Sequence, residues 1–220
     1  MPLIVIPCRA GSTELPEKNF KSLGGQPLWT YTTAVARGLR WPYVLTTDKR
    51  GWGLMGDQTM YHRTMIGQAH GQPMFKIVKE VADRYEGDPI VLLQPTSPFR
   101  KVDTVMQAVK LLKTAEMDSV VAVAKLPKTH CPDYLCQVRG GELLPWDLTR
   151  EPPTSRQEAR QAYIRTGDVY AFWRQTLRMG SLYGHRCHPL VVPYHEHLSI
   201  DSQQDWDRAE ALMAAKGVLV

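Results

Sequence analysis

Short apolar runs recur along the chain, and each one is followed by a polar loop. They cover residues 3–6, 43–47, 90–93 and 119–124. Runs of this length that are rich in β-branched and aliphatic side chains are typical of strands buried on both faces of a parallel sheet. A further run predicts another strand at residues 190–194.

Segments with helical spacing separate these predicted strands. Apolar residues recur every three or four positions after Pro27, after Pro73 and between residues 102 and 112, and proline is well tolerated where a helix begins. Ser202 and Asp205 form a capping box that predicts the start of a last helix. We expect the inward-facing residues of that helix to be Trp206, Ala209, Met213 and Ala214.

The alternation of strands and helices predicts a three-layer α/β domain with a largely parallel sheet. A length of 220 residues suits a single domain over residues 1–220. The alternation breaks at about residues 128–160, where prolines are frequent. A Gly140-Gly141 turn between residues 134–139 and 142–144 predicts a β-hairpin within this inserted segment.

The loop after the first strand has the composition of a phosphate site. Gly11 lets backbone amides approach an anion, Ser12 adds a hydroxyl, and Arg9 and Lys18 add positive charge. Open α/β sheets bind their ligands at this end of the strands. The loop lacks the GxxxxGK[ST] and GxGxxG patterns, so an ordinary basic surface loop is the alternative interpretation.

A second polar loop follows the third strand, at residues 94–98. Its two prolines leave the backbone few conformations, so the Gln94 amide and the Thr96 and Ser97 hydroxyls should be held in place. The alternative is a rigid turn that caps the next helix, a role that Ser97 could also perform. Asp48, at the end of the second strand, is expected to cap the turn that follows it.

Charge and composition narrow the classes of partner. The net charge is +5 and the pI is near 9.0, which favours anionic ligands. The basic residues form no block and no aromatic motif, so we expect no nucleic-acid binding. No apolar run is long enough to cross a bilayer and no signal peptide is apparent, so we expect no membrane association and a cytoplasmic location.

The cysteines and histidines predict neither a disulfide framework nor a strong metal site. The four cysteines form no CxxC pair, and reduced thiols are expected in the cytoplasm. His185, Cys187 and His188 lie close together in sequence, as do His195 and His197. A zinc site there is an open alternative, although nothing pairs with these residues at the usual ligand spacing.

Three motifs, in order along the chain, resemble those of the sugar-activating cytidylyltransferases. They are I-P-C-R-A-G-S-T-x-L-P-x-K-N at residues 6–19, Q-P-T-S-P at residues 94–98 and I-D-x-x-x-D-x-x-x-A-E at residues 200–210. The second motif resembles the CMP-sialic acid synthetases (acylneuraminate cytidylyltransferases). The related KDO synthetases share only part of the first motif, so the chain is more similar to the sialic acid branch.

This resemblance implies a Rossmann-like nucleotidyltransferase fold with a mostly parallel mixed sheet. It also implies a reaction in which the anomeric hydroxyl of an acidic, sialic-acid-like ulosonic sugar attacks the α-phosphate of CTP and releases pyrophosphate. The expected cofactor is Mg²⁺, and the expected partners are CTP and the acidic sugar. A homodimer is expected to form through the inserted segment at about residues 128–160.

The resemblance also assigns roles to individual residues. The nucleotide-binding residues would be Arg9, Gly11, Ser12, Lys18, Asn19, Arg63, Thr96 and Ser97. The sugar-binding residues would be Gln94, Arg156 and Tyr170. The catalytic residues would be Arg9, Lys18 and Asp201, with Asp201 as the magnesium ligand.

Some positions depart from the family pattern. Thr13 stands where the sialic acid synthetases have lysine, and Ser199 where they have the first of two metal-binding aspartates. Asp133 falls about where a sugar-binding lysine is expected. Asp168, an additional carboxylate, is a candidate replacement for the missing metal ligand. These departures leave two alternatives: a catalytically weak or silent nucleotide-binding homologue, or a nucleotidyltransferase for another sugar and base.

Overall fold

The computed structural model describes residues 1–12, 14–49, 59–62, 73–149, 151, 153–155, 157–194 and 197–215. Its helices are α1 (Leu28–Leu39), α2 (Met74–Ala82), α3 (Val102–Thr114) and α4 (Gln203–Ala215). Its strands are β1 (Leu3–Cys8), β2 (Ser22–Leu23), β3 (Gln26–Pro27), β4 (Tyr43–Thr47), β5 (Thr59–His62), β6 (Ile90–Leu92), β7 (Ser119–Lys125), β8 (Cys136–Arg139), β9 (Glu142–Pro145), β10 (Tyr163–Phe172) and β11 (Cys187–Val192).

The main sheet of the described ranges has seven strands in the order β11-β7-β10-β6-β1-β4-β5. Every pairing is parallel except those of β10, which runs antiparallel to both β6 and β7. The predicted α/β fold with a mostly parallel, mixed sheet is confirmed. β1 lies in the interior of this sheet, and all six of its residues are buried, as its unbroken apolar sequence predicts.

The alternating side chains of β1 separate the core into two layers. Ile4 and Ile6 pack with α1 and α3 on one face of the sheet. Leu3 and Val5 pack with α2 on the other face. Because successive residues of a strand point to opposite faces, a strand that is apolar throughout requires cover on both sides, and the three-layer arrangement supplies it.

The last helix attaches the end of the described chain to the rest of the domain. Trp206, Ala209 and Met213 are buried in a third cluster against Leu15 and Leu28. The predicted capping box is present, since Ser202 Oγ lies 2.8 Å from Asp205 Oδ2. Ala214 is exposed, so the prediction that it faces inward is wrong. It lies one position beyond the buried stripe, which ends at Met213.

Two strands differ from the sequence predictions: β11 has other boundaries, and β10 was not predicted. The strand predicted at residues 190–194 is β11, which begins at Cys187 and ends at Val192 because it pairs with β7 from Ser119 to Ala124. β10 was not predicted as a strand. Its register shifts between Arg165 and Tyr170, and this irregular stretch interrupts the apolar pattern by which strands are recognised.

The inserted segment forms the predicted hairpin of β8 and β9, with Val138 opposite Leu143. Asp133, expected near a sugar-binding position, instead accepts hydrogen bonds from Arg160: 2.6 Å from the backbone nitrogen and 2.7 Å from Nε. Arg160 also pairs with Asp147 at 2.9 Å.

Across the described ranges, no helix combines the length and apolar composition that a membrane crossing requires.

Candidate active site

The loops after β1 and β6 meet at one edge of the sheet. The two strands are parallel neighbours, with Leu3 opposite Ile90 and Val5 opposite Leu92, so their carboxyl ends lie side by side. The chain passes from β1 to β4 and β5 on one side, and returns to β6 on the other. Such a reversal in strand order opens a crevice in which α/β sheets bind ligands.

Two adjoining cavities lie near this reversal, and the smaller of the two has a volume of about 320 Å³. Among the described residues, its polar lining combines two cations, three hydroxyl groups, two amides and one carboxylate. The residues in its lining that carry polar side chains are Arg9, Ser12, Lys18, Asn19, Gln94, Thr96, Ser199 and Asp201. A lining of this kind can bind a polyanion and also retain a site for a cation.

A larger cavity of about 410 Å³ adjoins the smaller one. The two cavities share Met74, Gln94, Ser199 and Asp201. The other walls come from β10, from the segment before β11 and from the segment after it, and include Arg165, Tyr170, Tyr183 and His197. Two ligands bound in these cavities would therefore meet beside the Asp201 carboxylate.

Lys18 lines the smaller cavity and pairs with Asp201, which lines both cavities. Its Nζ donates to the Ile200 carbonyl at 2.6 Å and to Asp201 Oδ1 at 2.8 Å. The Lys18 side chain is 7% exposed, whereas that of Asp201 is 69% exposed. The buried lysine thus has a fixed position, and the carboxylate that pairs with it remains open to both cavities.

Hydrogen bonds to backbone groups fix the loop after β1 and the segment before α4. The Ala10 amide donates to Asp48 Oδ1 at 2.7 Å, and Asn19 Nδ2 donates to the Arg9 carbonyl at 2.9 Å. Asp48 therefore holds the loop after β1. The turn that it is predicted to cap continues into residues 50–58, outside the described ranges. The Ile200 amide donates to the Thr96 carbonyl at 2.8 Å, which ties the segment before α4 to the loop after β6.

Arg100 lies outside the larger cavity and holds two of its lining residues, Gln94 and Gly167, through their backbone carbonyls. This role was not predicted from the sequence. The Arg100 side chain is 6% exposed and reaches four acceptors: the carbonyls of Gln94 (2.6 Å), Gly167 (3.3 Å) and Asp168, and Thr32 Oγ1 (3.1 Å). Burial lowers the pKa of the guanidinium to about 10, and the nearby Asp168 opposes this shift. The guanidinium joins the loop after β6 to the irregular part of β10.

Gly167 is required where these two segments approach each other. Its φ is +75°, and a Cβ added there would lie 2.9 Å from Gln94 Oε1 and 3.2 Å from Ser97 Oγ. Ser97 is itself buried and donates to the Thr166 carbonyl at 3.3 Å. Glycine accepts the left-handed backbone without strain and leaves room for the Gln94 amide.

His197 is a second functional candidate that sequence reasoning did not place here. Its Nδ1 lies 4.0 Å from Asp168 Oδ2, and both side chains are nearly buried. Burial lowers the pKa of His197 below its ordinary value of 6.5, although the carboxylates of Asp168 and Asp201 oppose the shift. This shift favours the neutral form of the imidazole, which lines the larger cavity as a hydrogen-bonding group.

Comparison with known proteins decides the family. The family model described as "Cytidylyltransferase" matches residues 3–131, which is more than half of the chain. This chain belongs to the cytidylyltransferase family. The resemblance inferred from the three motifs, to CMP-sialic acid synthetases with KDO synthetases as relatives, is confirmed.

Several curated relatives show where the cytidylyltransferase stands within that family. It is 29% identical to the CMP-N,N'-diacetyllegionaminic acid synthase of Legionella pneumophila, over 96% of this chain and 95% of the relative. It is 24% identical to an N-acylneuraminate cytidylyltransferase of Streptococcus agalactiae, over 93% of this chain. The chain spans only 51% of that streptococcal protein.

Solved structures agree with this fold. A CMP:2-keto-3-deoxy-manno-octonic acid synthetase complexed with CTP superposes with a TM-score of 0.73 at 17% identity, covering 98% of this chain and 99% of the other. The 2-C-methyl-D-erythritol 4-phosphate cytidylyltransferase of Thermus thermophilus gives 0.64 at 17% identity, with coverage of 96% and 98%. The Rossmann-like nucleotidyltransferase fold is confirmed.

The structure brings most of the predicted site residues of this cytidylyltransferase together. The smaller cavity contains Arg9, Ser12, Lys18, Asn19, Thr96 and Asp201, and the larger one contains Gln94, Tyr170 and Asp201. Gly11 is in the first loop but outside both linings. Ser97 is also outside them, and its hydroxyl is used within the fold. Arg63, Arg156 and Thr13 lie outside the described residues.

Proposed function

We propose that this cytidylyltransferase transfers the cytidylyl group of CTP to an acidic ulosonic sugar, with release of pyrophosphate. The observation that carries the proposal is the pair of adjoining cavities that share Gln94, Ser199 and Asp201. A cation-lined cavity suits the triphosphate, and the neighbouring cavity suits a sugar. The curated relatives named above act on acidic sugars of this kind, which supports the choice of substrate.

The smaller cavity would hold the triphosphate through charge and hydrogen bonds. Arg9 and Lys18 supply positive charge, and Ser12 supplies a hydroxyl donor. Each charge-assisted hydrogen bond to phosphate contributes about 1.5–3 kcal/mol. Since Lys18 is already fixed by the Ile200 carbonyl, little side-chain order has to be gained when the nucleotide binds.

The transfer itself is a displacement at the α-phosphorus. The anomeric oxygen of the sugar forms a new bond to phosphorus, its proton is lost, and the bond to the bridging oxygen of pyrophosphate breaks. Such phosphoryl chemistry depends mainly on positioning and on neutralising negative charge. Gln94, which lines both cavities, is placed to orient the sugar beside the α-phosphate.

The donor set around Asp201 fits the magnesium ion that the family implies. Asp201 offers an exposed carboxylate to both cavities, and Ser199 Oγ lies 3.2 Å from its Oδ2. The described residues contain no cluster of three His, Cys, Asp or Glu side chains. Magnesium is commonly held by one or two carboxylates together with substrate phosphates, so Asp201 would be its protein ligand. When bound, the ion would neutralise charge on the reacting phosphates.

We also propose that the hairpin of β8 and β9 joins two copies of the chain. Val138 and Leu143 face each other across the hairpin and are 73% and 71% exposed. Trp146 and Leu148, which follow the hairpin, are 62% and 63% exposed. Exposed apolar side chains that cluster on a surface mark interfaces, and four of them lie within residues 138–148. Sedimentation velocity of Val138→Lys/Leu143→Lys should give a monomer where the unmodified chain gives a dimer, whereas a monomeric unmodified chain would contradict the proposal.

Pyrophosphate release tests the proposed reaction. The purified chain is incubated with Mg²⁺, one nucleoside triphosphate and one sugar acid: N-acetylneuraminate, N,N'-diacetyllegionaminate or 3-deoxy-manno-octulosonate. We expect release that requires both CTP and a sugar acid and that is lost in Asp201→Asn. Arg178→Met, at an exposed position outside both cavities, serves as the matched control.

Three outcomes would contradict the proposal in different ways. CTP binding without release, for every sugar acid, would indicate a silent nucleotide-binding homologue. Release with UTP or ATP in place of CTP would indicate another base. Release with neutral sugars alone would contradict the acidic substrate. The cytoplasmic location stays a prediction from the sequence.

A further inference from the structure

The larger cavity has one cationic side chain suited to an acidic ligand. Among the described residues that line it, Arg165 is the single lysine or arginine. Asp201 lines the same cavity and carries the opposite charge, and the other lining residues with ionisable side chains are Tyr170, Tyr183 and His197. Within the described part of the chain, an acidic sugar in this cavity therefore has one permanent positive charge with which to pair.

The fold holds Arg165 in a defined position at the cavity wall. Its backbone pairs with Val123, at the last regular position of β10 before the register shifts. Its guanidinium donates to the Tyr183 hydroxyl and lies 5.5 Å from the centre of the Tyr183 ring, within the range of a cation–π contact. Tyr183 packs edge-on against Tyr170 at 6.4 Å between ring centres.

These contacts leave part of the guanidinium available for a ligand. A guanidinium has five N–H donors in a planar fork, and Tyr183 accepts from Nη1. The residue is exposed and lines the larger cavity, so its remaining donors are accessible to a ligand. A planar fork of donors matches a carboxylate in a bidentate geometry.

We propose that Arg165 binds the carboxylate of the sugar substrate and thereby selects acidic over neutral sugars, with Tyr183 as its positioning residue. This inference rests on the proposed function and adds the residue that recognises the substrate class. In an ulosonic acid, the carboxylate and the anomeric hydroxyl are attached to the same carbon. A contact at the carboxylate therefore also fixes the attacking hydroxyl, and both binding and turnover depend on it.

The test compares two versions of the sugar in two versions of the protein. N-acetylneuraminate and its C1 carboxamide are assayed for pyrophosphate release with the unmodified chain and with Arg165→Met. Loss of a charge-assisted, bidentate contact should lower kcat/KM for the acid about 30-fold in Arg165→Met. The carboxamide should be a poor substrate for the unmodified chain and equally poor for Arg165→Met.

Two further variants separate recognition from folding. Arg165→Lys should recover part of the preference for the acid over the carboxamide, because it keeps the charge but lacks the fork. Tyr183→Phe keeps the ring and loses the hydroxyl, so it should lower the same preference about 3- to 10-fold. The affinity for CTP should stay within about twofold throughout, and Arg178→Met should match the unmodified chain.

The results that overturn the inference differ from those that overturn the reaction. Unchanged preference for the acid in Arg165→Met, or an equal loss of CTP affinity, would show that Arg165 does not recognise the carboxylate. If the unmodified chain releases no pyrophosphate, calorimetric titration with N-acetylneuraminate in the presence of CTP decides. Binding that is lost in Arg165→Met would support the carboxylate site alone, and binding that is unaffected would overturn it.

Discussion

Replacing Arg100 by methionine should destabilise the fold and loosen the larger cavity at the same time. The Arg100 side chain is 6% exposed, and its guanidinium donates to three backbone carbonyls and one hydroxyl. Methionine is long and flexible enough to fill much of the same space but donates no hydrogen bond. The loop after β6 and the irregular part of β10 would lose the group that joins them.

The expected magnitude follows from two opposing contributions. A buried acceptor left without a donor costs about 1–3 kcal/mol. The Gly167 and Asp168 carbonyls and the Thr32 hydroxyl would lose the Arg100 donor, whereas the Gln94 carbonyl keeps the Ser97 amide. Removing the charge recovers a desolvation cost, because the pKa of about 10 in place of 12.5 corresponds to about 3 kcal/mol. The free energy of unfolding should therefore fall by about 3 kcal/mol, as is typical when a buried polar pair is broken.

Urea unfolding of Arg100→Met, followed by tryptophan fluorescence, measures this loss. Arg178→Met removes an exposed arginine and should change the free energy of unfolding by no more than about 0.5 kcal/mol. In the folded variant, KM for the sugar should rise more than Kd for CTP, because Gly167 and Asp168 belong to the β10 side of the site. An Arg100→Met protein as stable as the control would refute the reasoning.

Three other substitutions test separate parts of the account. Gly167→Ala should lower the free energy of unfolding by about 1–3 kcal/mol, since φ is +75° and the new Cβ would lie 2.9 Å from Gln94 Oε1. Thermal unfolding measures this loss, and KM for the sugar should rise because Gln94 is displaced. An unchanged KM would contradict the packing argument. Lys18→Met should weaken CTP binding about 10- to 150-fold in a calorimetric titration, and full affinity would remove Lys18 from the nucleotide site. The pKa of Asp118 is held below 3.8 by backbone amides that donate to its carboxylate, so it stabilises the fold above about pH 4 and loses that contribution as the pH falls through its lower folded pKa. Unfolding free energies measured from pH 5 to pH 2 should therefore decline less steeply in Asp118→Asn, and an equal slope would contradict this.

The central strands could be predicted from sequence because burial on both faces requires apolar side chains at nearly every position. β1 and β6 are buried on both faces, so nearly every residue in them is apolar and the pattern is unmistakable. β10 could not be predicted in the same way. Its first residues are exposed and its register shifts around Gly167, and both features break the pattern of a buried strand.

Within the site, the residues that motifs identify differ from those that only geometry reveals. Lys18 and Asp201 lie in separate motifs, 183 positions apart, and the structure joins them at 2.8 Å. Arg100 follows the second motif, but three of its four acceptors are backbone carbonyls, and two of these belong to distant residues of β10. Backbone acceptors carry no sequence signal, so the role of Arg100 was not visible. The position of Arg165 beside Tyr183 likewise depends on how β10 pairs with β7.

The measurement that tests the central claim most directly is the thermal midpoint of the purified chain with Mg²⁺ and, separately, CTP, UTP, ATP and GTP. A ligand present at 100 times its dissociation constant adds about 2.7 kcal/mol to the free energy of unfolding, which a thermal melt resolves. We predict a rise in midpoint with CTP that is larger than with any other nucleotide and that is lost in Lys18→Met. An unchanged midpoint with all four nucleotides, or a rise that Lys18→Met retains in full, would contradict the assignment of the smaller cavity to CTP.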